Sequence, residues 1–461
     1  MSRFLGRQAL VIGAGMSGLA AAGALAKHFE QVIVLERDGL VDDPLHRGGT
    51  PQCRQLHGLL SGGLEALCQI FAGFDDDLAA AGAAPIREAA EIREELPGFD
   101  PFPRRDFGSI LYGASRPLLE HTLRRRVRAL RNVVIRDRCR LLDLVSSADR
   151  SSITGARYEG IEGRRETVSA DLIVDASARG TLTLAALDAL GLARPRETSV
   201  GVNIGYATAA FDIPEQRPDW KAALTFPSAP SESRCGFLLP VERNRWMVCI
   251  AEMHCPRPPL DVAEFLGAAR RLRTRTIYDM IKYAKPTGIP QRFGFPASSW
   301  RHYETVIGFP QRLIPIGDAL CRFNPIYGQG MSVAAREASI LADLLRGRAG
   351  SPQGLAGLPQ DFLAEVQPWI AGAWSMSAIP DLVYPQTRGE RPTDLEDRLS
   401  FASGLYRVAA RDPDVHKLLI SVRHIARPDD ALHEPGLVDR VRAEMAAASV
   451  QPTAELAAAA A

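Results

Sequence analysis

The sequence predicts an α/β fold in which a Rossmann-type lobe carries an inserted antiparallel-sheet lobe and a C-terminal helical region. Three observations predict it. A glycine-rich strand, turn, helix and strand open the chain, the pattern changes to alternation between residues 199 and 253, and residues 352–446 are mostly helix formers.

Each element follows from residue spacing. Residues 10–13 form a short apolar strand, 16–28 an alanine-rich helix and 32–35 a second strand, which makes a βαβ start. Short apolar runs at 132–136 and 171–175 predict further buried strands. Alternation at 201–206 and 246–250, with no long helix between, predicts an antiparallel sheet and hence a second lobe. An apolar strand returns at 313–317, followed by helical spacing over 331–345. The first lobe is therefore expected over 1–195 and again over 296–350, with the sheet lobe at 196–295. Prolines at 359, 368, 380, 385, 392, 413, 428 and 435 break the helical region, 351–450, into pieces, and the alanine tail at 451–461 is expected to fray.

At 461 residues the chain exceeds the roughly 250–300 at which one hydrophobic core stops growing, so several packed units are expected. Its 46% apolar and 24% charged residues exclude a wholly disordered, fibrous or membrane-embedded chain. A net charge of +1 provides no global field for nucleic acid. The basic run at 124–126 is expected on a solvated helix face, and 270–275 is a second local run. Seven scattered cysteines form no CxxC pair, which points to a reducing, cytoplasmic setting and to neither a disulfide framework nor a metal site. Residues 9–26 are uncharged, but four glycines interrupt them and a β-branched strand follows, so no membrane span is predicted.

Gly13-Ala-Gly15-Met16-Ser17-Gly18 is a GxGxxG set between a predicted strand and helix, and Glu36 ends the next strand. The first glycine permits the tight turn, the second lets backbone approach a pyrophosphate, and the third lets helix pack on strand. Glu36 can accept from ribose hydroxyls. Some 300 residues downstream, Gly317-Asp318 ends a strand and Pro325-Ile-Tyr327-Gly328-Gln329-Gly330-Met331 forms a loop before a helix. Such a loop can offer N–H groups to the pyrimidine edge of a flavin while Asp318 holds ribityl hydroxyls. The two segments together imply FAD; a plain helix N-cap is the alternative for Asp318.

These segments, with Glu36-Arg37 and Asp175-Ala-Ser-Ala178-Arg179-Gly180, resemble the three fingerprints of the flavoprotein monooxygenases of the para-hydroxybenzoate hydroxylase fold over residues 8–345. Residues 46–60, Ser115-Arg116-Pro117 and 323–331 resemble the bacterial branch with the olefin epoxidases of polyether pathways. The resemblance implies that Arg54 and Arg116 lie near the FAD diphosphate and Leu141 near adenine. Arginine suits the first role because its planar fork pairs with phosphate oxygens. The sequence departs from the pattern at Ala178, where glycine is usual, which sets direct reduction by NAD(P)H against a separate reductase. His57 before an apolar helix is more often structural than catalytic, and a halogenase WxWxIP segment is absent.

The resemblance implies transfer of one oxygen atom to an electron-rich double bond or ring of a hydrophobic small molecule, a polyketide or terpenoid intermediate. Tyr206, Phe226, Phe237, Trp246, Phe293 and Phe295 are the substrate-facing candidates, of which half or more are expected in the core. The rival expectations are a cyclase that keeps FAD as a structural wall, an isoprenoid-saturating reductase, and a flavin-binding module without catalysis.

Overall fold

The computed structural model describes residues 4–254 and 257–448, so the expected tail and Cys255 lie outside it. The opening lobe is built on five parallel strands in the order Leu313–Pro315, Leu172–Asp175, Gly6–Ile12, Phe29–Leu35 and Val133–Arg136. The central strands are near-continuous apolar runs, because both faces of a parallel sheet are covered. Helices Met16–Ala26 and Gly330–Arg348 pack on one another beside it, and three antiparallel strands, Arg140–Ser146, Ile153–Glu159 and Arg165–Ser169, form a side sheet. The first helix ends at Ala26, two residues before the expected His28. Asn132 Nδ2 donates to both Ala26 O and Phe29 O at 2.8 Å, which satisfies a terminal carbonyl and starts the next strand at once.

The second sheet has seven strands, in the order Cys321–Arg322, Gln291–Arg301, Glu197–Asp212, Arg245–Glu252, Arg234–Val241, Ala222–Thr225 and Ile92–Glu95. It draws its two edges from outside residues 196–295. Side chains alternate across it. Ala207, Ala209, Phe211, Trp246, Val248 and Ile250 enter a separate core under helices Val262–Arg270 and Thr276–Ile281, while the other face turns toward the first lobe. The run at 124–126 departs from a solvated face. Arg124 is buried and donates to Val41 O at 3.0 Å, Arg126 pairs with Asp77, and only Arg125 is exposed.

The C-terminal region holds helices Leu358–Asp381, Leu395–Arg411, Pro413–Arg423 and Pro435–Ala448. Prolines 359, 413 and 435 lie at helix starts, where a missing N–H costs nothing. Pro368 and Pro380, however, lie inside the first of these helices. Its buried stripe of Phe362, Val366, Ile370 and Ala373 carries it through both breaks, because tertiary burial outweighs local propensity.

This region is fastened to the first lobe at Gly62. Gly62 N–H donates to His424 O at 3.0 Å, and Arg336 Nη2 donates to Gly62 O and Ile425 O at 3.3 and 3.2 Å. A Cβ on Gly62 would stand 2.2 Å from the Ile425 carbonyl carbon. Gly62→Ala should therefore destabilise the protein by about 1–3 kcal/mol or more through overpacking. Thermal or urea unfolding would measure this, and an unchanged midpoint would show that the seam is looser than it stands.

Candidate active site

The three glycines of the first loop have different reasons to be glycine. Gly13 has φ +98°, and a Cβ there would lie 2.8 Å from Ala176 O; one on Gly18 would lie 1.9 Å from Gly13 O. Both are demanded by the chain's own backbone. A Cβ on Gly15 would meet nothing closer than Arg47 Nη2 at 3.9 Å. Gly15 is the N-cap of helix Met16–Ala26, without a side-chain acceptor and with no acidic residue in the first turn. The first-turn N–H groups, with the positive end of the helix dipole, thus face open space of the kind an anion fills. These residues fit a pyrophosphate.

Glu36 is buried beside this loop. Its Oε2 accepts from Ala14 N–H at 2.7 Å and its Oε1 from Asp38 N–H at 3.0 Å. Arg47 Nη1 lies 2.9 Å from Glu36, while its Nη2 lies 3.1 Å from Glu120 and also donates to Ala14 O at 3.1 Å. Arg116 pairs with the other oxygen of Glu120 at 2.8 Å. Burial opposes charge on Arg47, but Glu120 and Glu36 outweigh it and raise its pKa. The arginine at the centre of this quartet was not singled out from sequence. Of the other expected ligands, Arg37 is exposed and donates to Gly49 O at 3.3 Å, and Arg54 donates to Gln291 Oε1 at 3.1 Å. Leu141 is the second residue of strand Arg140–Ser146 and lies two residues after Cys139, whose N–H donates to Glu36 O at 2.8 Å.

The returning strand brings the distant loop to the same place. Gly317, at φ +65°, is so close to the first loop that a Cβ would lie 2.9 Å from that of Ser17. Its N–H donates to Glu337 Oε2 at 2.6 Å, and burial raises the Glu337 carboxyl to about 8. Asp318 makes no hydrogen bond among the described residues. Burial raises its pKa, and the charges of Arg322, Arg116 and Arg301 partly oppose this. It therefore stands free for hydroxyl donors. Pro325–Tyr327 forms a tight turn, Gly328 adopts φ +69°, and Gln329 caps the helix that Gly330 and Met331 begin.

A buried network sets this turn. Tyr206 donates its hydroxyl to Asn324 Oδ1 at 2.8 Å, Asn324 Nδ2 donates to Asp381 Oδ2 at 2.9 Å, and Tyr327 donates to Asp381 Oδ1 at 2.6 Å. Burial pushes the Asp381 carboxyl up to about 7 against these two bonds. The flavin-type loop is thus tied both to the sheet lobe and to the C-terminal helices.

A cavity of about 200 Å³ lies between that loop and the sheet. Pro325 to Gln329 line it on one side, and Tyr206, Phe226, Phe237 and Phe293 on the other. Phe226 and Phe237 meet edge to face at 5.8 Å. Trp246 does not line it, because strand alternation turns it into the second core opposite Phe211. Phe295 does not line it either; it lies beneath Arg322, 4.5 Å from the guanidinium. His57 does line it. Burial and nearby Arg116 hold the imidazole down at about 4, and its Nδ1 lies 2.9 Å from Gln55 O. Arg423 and His424, from the C-terminal region, complete the wall.

In the middle segment, Asp175 accepts from Ser177 N–H at 3.0 Å and from the Thr183 hydroxyl at 2.6 Å. Ala178 has φ +63°, the left-handed backbone that a glycine would take without strain.

Two substitutions separate cradle from scaffold. Gly15→Ala should leave the melting temperature unchanged and reduce FAD uptake, whereas Gly18→Ala should cost about 1–3 kcal/mol or more of stability. Equal effects of both on unfolding would refute the assignment. Glu36→Ala removes a charge-assisted acceptor of about 1.5–3 kcal/mol, so FAD affinity should fall roughly ten- to hundredfold. Titration of the apoprotein would test it, unchanged affinity meaning that another group holds the ribose.

The FAD binding domain family matches residues 7–355. Protein Rv3254 of Mycobacterium tuberculosis is 32% identical over 396 residues, covering 83% of this chain and 81% of its own. Among solved structures, p-nitrophenol 4-monooxygenase PnpA from Pseudomonas putida DLL-E4 is similar with TM-score 0.62 and 15% identity, over 92% of this chain and 99% of that one. The Diels-Alderase PyrE3 of pyrroindomycin biosynthesis is similar with TM-score 0.58 and 17% identity, over 91% and 80%. At such identities both likenesses concern the fold. With the family matching three quarters of its length, the chain belongs to the FAD binding domain family of flavin-dependent enzymes.

Proposed function

We propose that the protein is an FAD-dependent monooxygenase, an epoxidase or hydroxylase, acting on a hydrophobic polyketide or terpenoid intermediate, in the manner of the branch with polyether-pathway olefin epoxidases. One observation carries this: a single apolar cavity is bounded by the loop suited to a flavin ring on one side and by four aromatic side chains on the other. When bound, FAD supplies the redox chemistry, the uptake of two electrons and the delivery of one oxygen atom from dioxygen.

The chain's own work is binding, orientation and exclusion of water. The first-turn N–H groups above Gly15 hold the pyrophosphate, Glu36 the ribose and Asp318 the ribityl hydroxyls. The backbone from Pro325 to Met331 would hold the ring, its N–H donors being suited to the negative charge that reduction places on a bound flavin. Asp381 keeps that backbone in place through Asn324 and Tyr327. Tyr206, Phe226, Phe237 and Phe293 hold an apolar substrate against the ring and displace water. The two electrons come either from NAD(P)H directly or from a separate reductase, the departure from glycine at Ala178 counting against the first.

The test is to reduce the holoprotein anaerobically with dithionite and admit heavy-isotope oxygen gas with an alkene-bearing polyketide or terpenoid. The expected product is heavier by a single labelled oxygen atom. An isomer of unchanged mass formed with oxidised flavin and no oxygen would put a cyclase in place of the monooxygenase, and a saturated product would indicate a reductase.

A further inference from the structure

The floor of the cavity is one face of the seven-stranded sheet, and six of the strands contribute to it. Phe293, Tyr206 and Cys249 stand on Gln291–Arg301, Glu197–Asp212 and Arg245–Glu252, which are successive neighbours. Phe237, Leu224 and Ile92 continue the row on the next three, Arg234–Val241, Ala222–Thr225 and Ile92–Glu95. The register keeps the row on one face: Phe293 stands opposite Tyr206, Cys249 opposite Phe237, Phe237 opposite Leu224, and Ile92 opposite Ala222. Neighbouring strands lie about 4.8 Å apart, so the floor is roughly 24 Å across, of which roughly 19 Å lies beyond Tyr206. Spread over that width, the cavity's volume of about 200 Å³ forms a narrow passage and not a round chamber.

The chemistry of the wall changes along the passage. The turn at Asn324–Tyr327 stands over the second strand of the row, through the bond from Tyr206 to Asn324 Oδ1 at 2.8 Å. Polar side chains gather at the same end. Gln55 donates through Nε2 to Gln291 O at 3.1 Å and accepts from the Thr208 hydroxyl at 2.8 Å, and His57 follows two residues on. Past Phe237 the floor is aliphatic, with Leu239, Leu224, Ala222 and Ile92. Ile86 and Leu111, opposite one another in the two-stranded ribbon of Ala84–Arg87 and Ile110–Gly113, join the wall there. The ribbon is pressed onto the sheet at Gly113, where a Cβ would lie 2.0 Å from Pro240 O. The charged side chains beside this part are already paired, Arg423 with Glu94 at 2.6 Å and His424 with Glu88. Aliphatic side chains neither donate nor accept hydrogen bonds, so a polar group carried over Leu224 would lose water and gain no partner. A compact polycycle would overfill the passage and leave most of its length empty.

We propose that the part of the cavity from Cys249 to Ile92 is a channel for a long, unbranched apolar tail, so that the substrate is a conjugated head group carrying an extended hydrocarbon chain rather than a compact polycycle. The head lies toward Tyr206 and the Asn324–Tyr327 turn, between aromatic side chains. Leu224 from the floor and Leu111 from the ribbon set how long a tail is accepted. This rests on the oxygen-transfer reading above for the fate of the head, and it adds the shape of the rest of the molecule.

The experiment uses FAD-loaded protein and para-alkylphenols with ethyl, butyl, hexyl and octyl chains, with para-adamantylphenol as the compact congener, and follows binding by calorimetry. Each buried methylene should tighten binding about fourfold, so affinity should climb through octyl, while the adamantyl compound binds no better than butyl. Leu224→Trp fills the channel from the floor and should halt the climb after the short chains, with the ethyl compound bound as in wild type and FAD uptake retained. Leu111→Trp should do the same from the ribbon, so that a folding failure in one variant leaves the other to decide. The proposal is overturned if none of the series binds, if octyl binds no more tightly than butyl, if the adamantyl compound matches octyl, or if the climb survives in a tryptophan variant that takes up FAD. No turnover is read. A climbing series without transfer of labelled oxygen would therefore sink only the oxygen-transfer reading, and a flat series with that transfer intact would sink only the channel.

Discussion

The close approach of Gly317 to Ser17 is the contact on which the site depends. Two loops some 300 residues apart in sequence meet only because strand Leu313–Pro315 adds to the edge of the parallel sheet beside Leu172–Asp175. A buried Glu337 then holds the Gly317 N–H. Without that return, the Gly13–Gly18 loop and the Pro325–Met331 loop would belong to different parts of the molecule. The left-handed turn at Gly317 has no room for a side chain, so its cost falls on one glycine and its gain on the whole site.

The C-terminal helices act as more than a cover. Asp381, the last residue of the proline-containing helix, sets the Asn324–Tyr327 turn, and Arg423 with His424 closes the cavity wall. These groups are polar and buried, and each is satisfied locally, by Glu94, by Glu88 or by two hydrogen bonds. A buried charge without such a partner would be costly. The pairings therefore let charged residues stand at the edge of an apolar pocket without flooding it with water.

The glycine loop, Glu36, the inserted sheet and the Gly317–Asp318 return were legible because each has a local signature in spacing and composition. Alternation at 201–206 and 246–250 also predicted the sheet strands, observed as Glu197–Asp212 and Arg245–Glu252, but could not say which face was which. Trp246 and Tyr206 look alike in sequence, yet one enters the second core and the other the cavity, since that depends on which face the helices at 262–281 cover. Arg47 could not be singled out from neighbouring arginines, because its partner Glu120 is remote in sequence and the loop that returns it to Glu36 has no regular spacing. His424 and Glu88 were illegible for the same reason, being 336 residues apart and joined only by the docking of the last helices. Proline counting misled within helix Leu358–Asp381, where burial decided the matter.

Charge accounting bears on how the proposed cradle would hold an anion. Arg47 and Arg116 are the cations nearest Gly15 in this quartet, and Glu36 and Glu120 neutralise both, with Asp38 3.5 Å from Arg47. Two positive charges against three negative ones leave no cationic surplus for a diphosphate. Its attraction must then come chiefly from the oriented N–H groups and dipole of helix Met16–Ala26, which act at short range in a fixed direction. The carboxylates serve to hold the arginines still and to fix Ala14, while the open space over Gly15 determines where the anion can sit. Around Asp318, Arg116 is paired with Glu120 and Arg301 with Glu197 at 3.1 Å, so among the described residues Arg322 is the cation without a carboxylate partner that acts on this unbonded carboxylate.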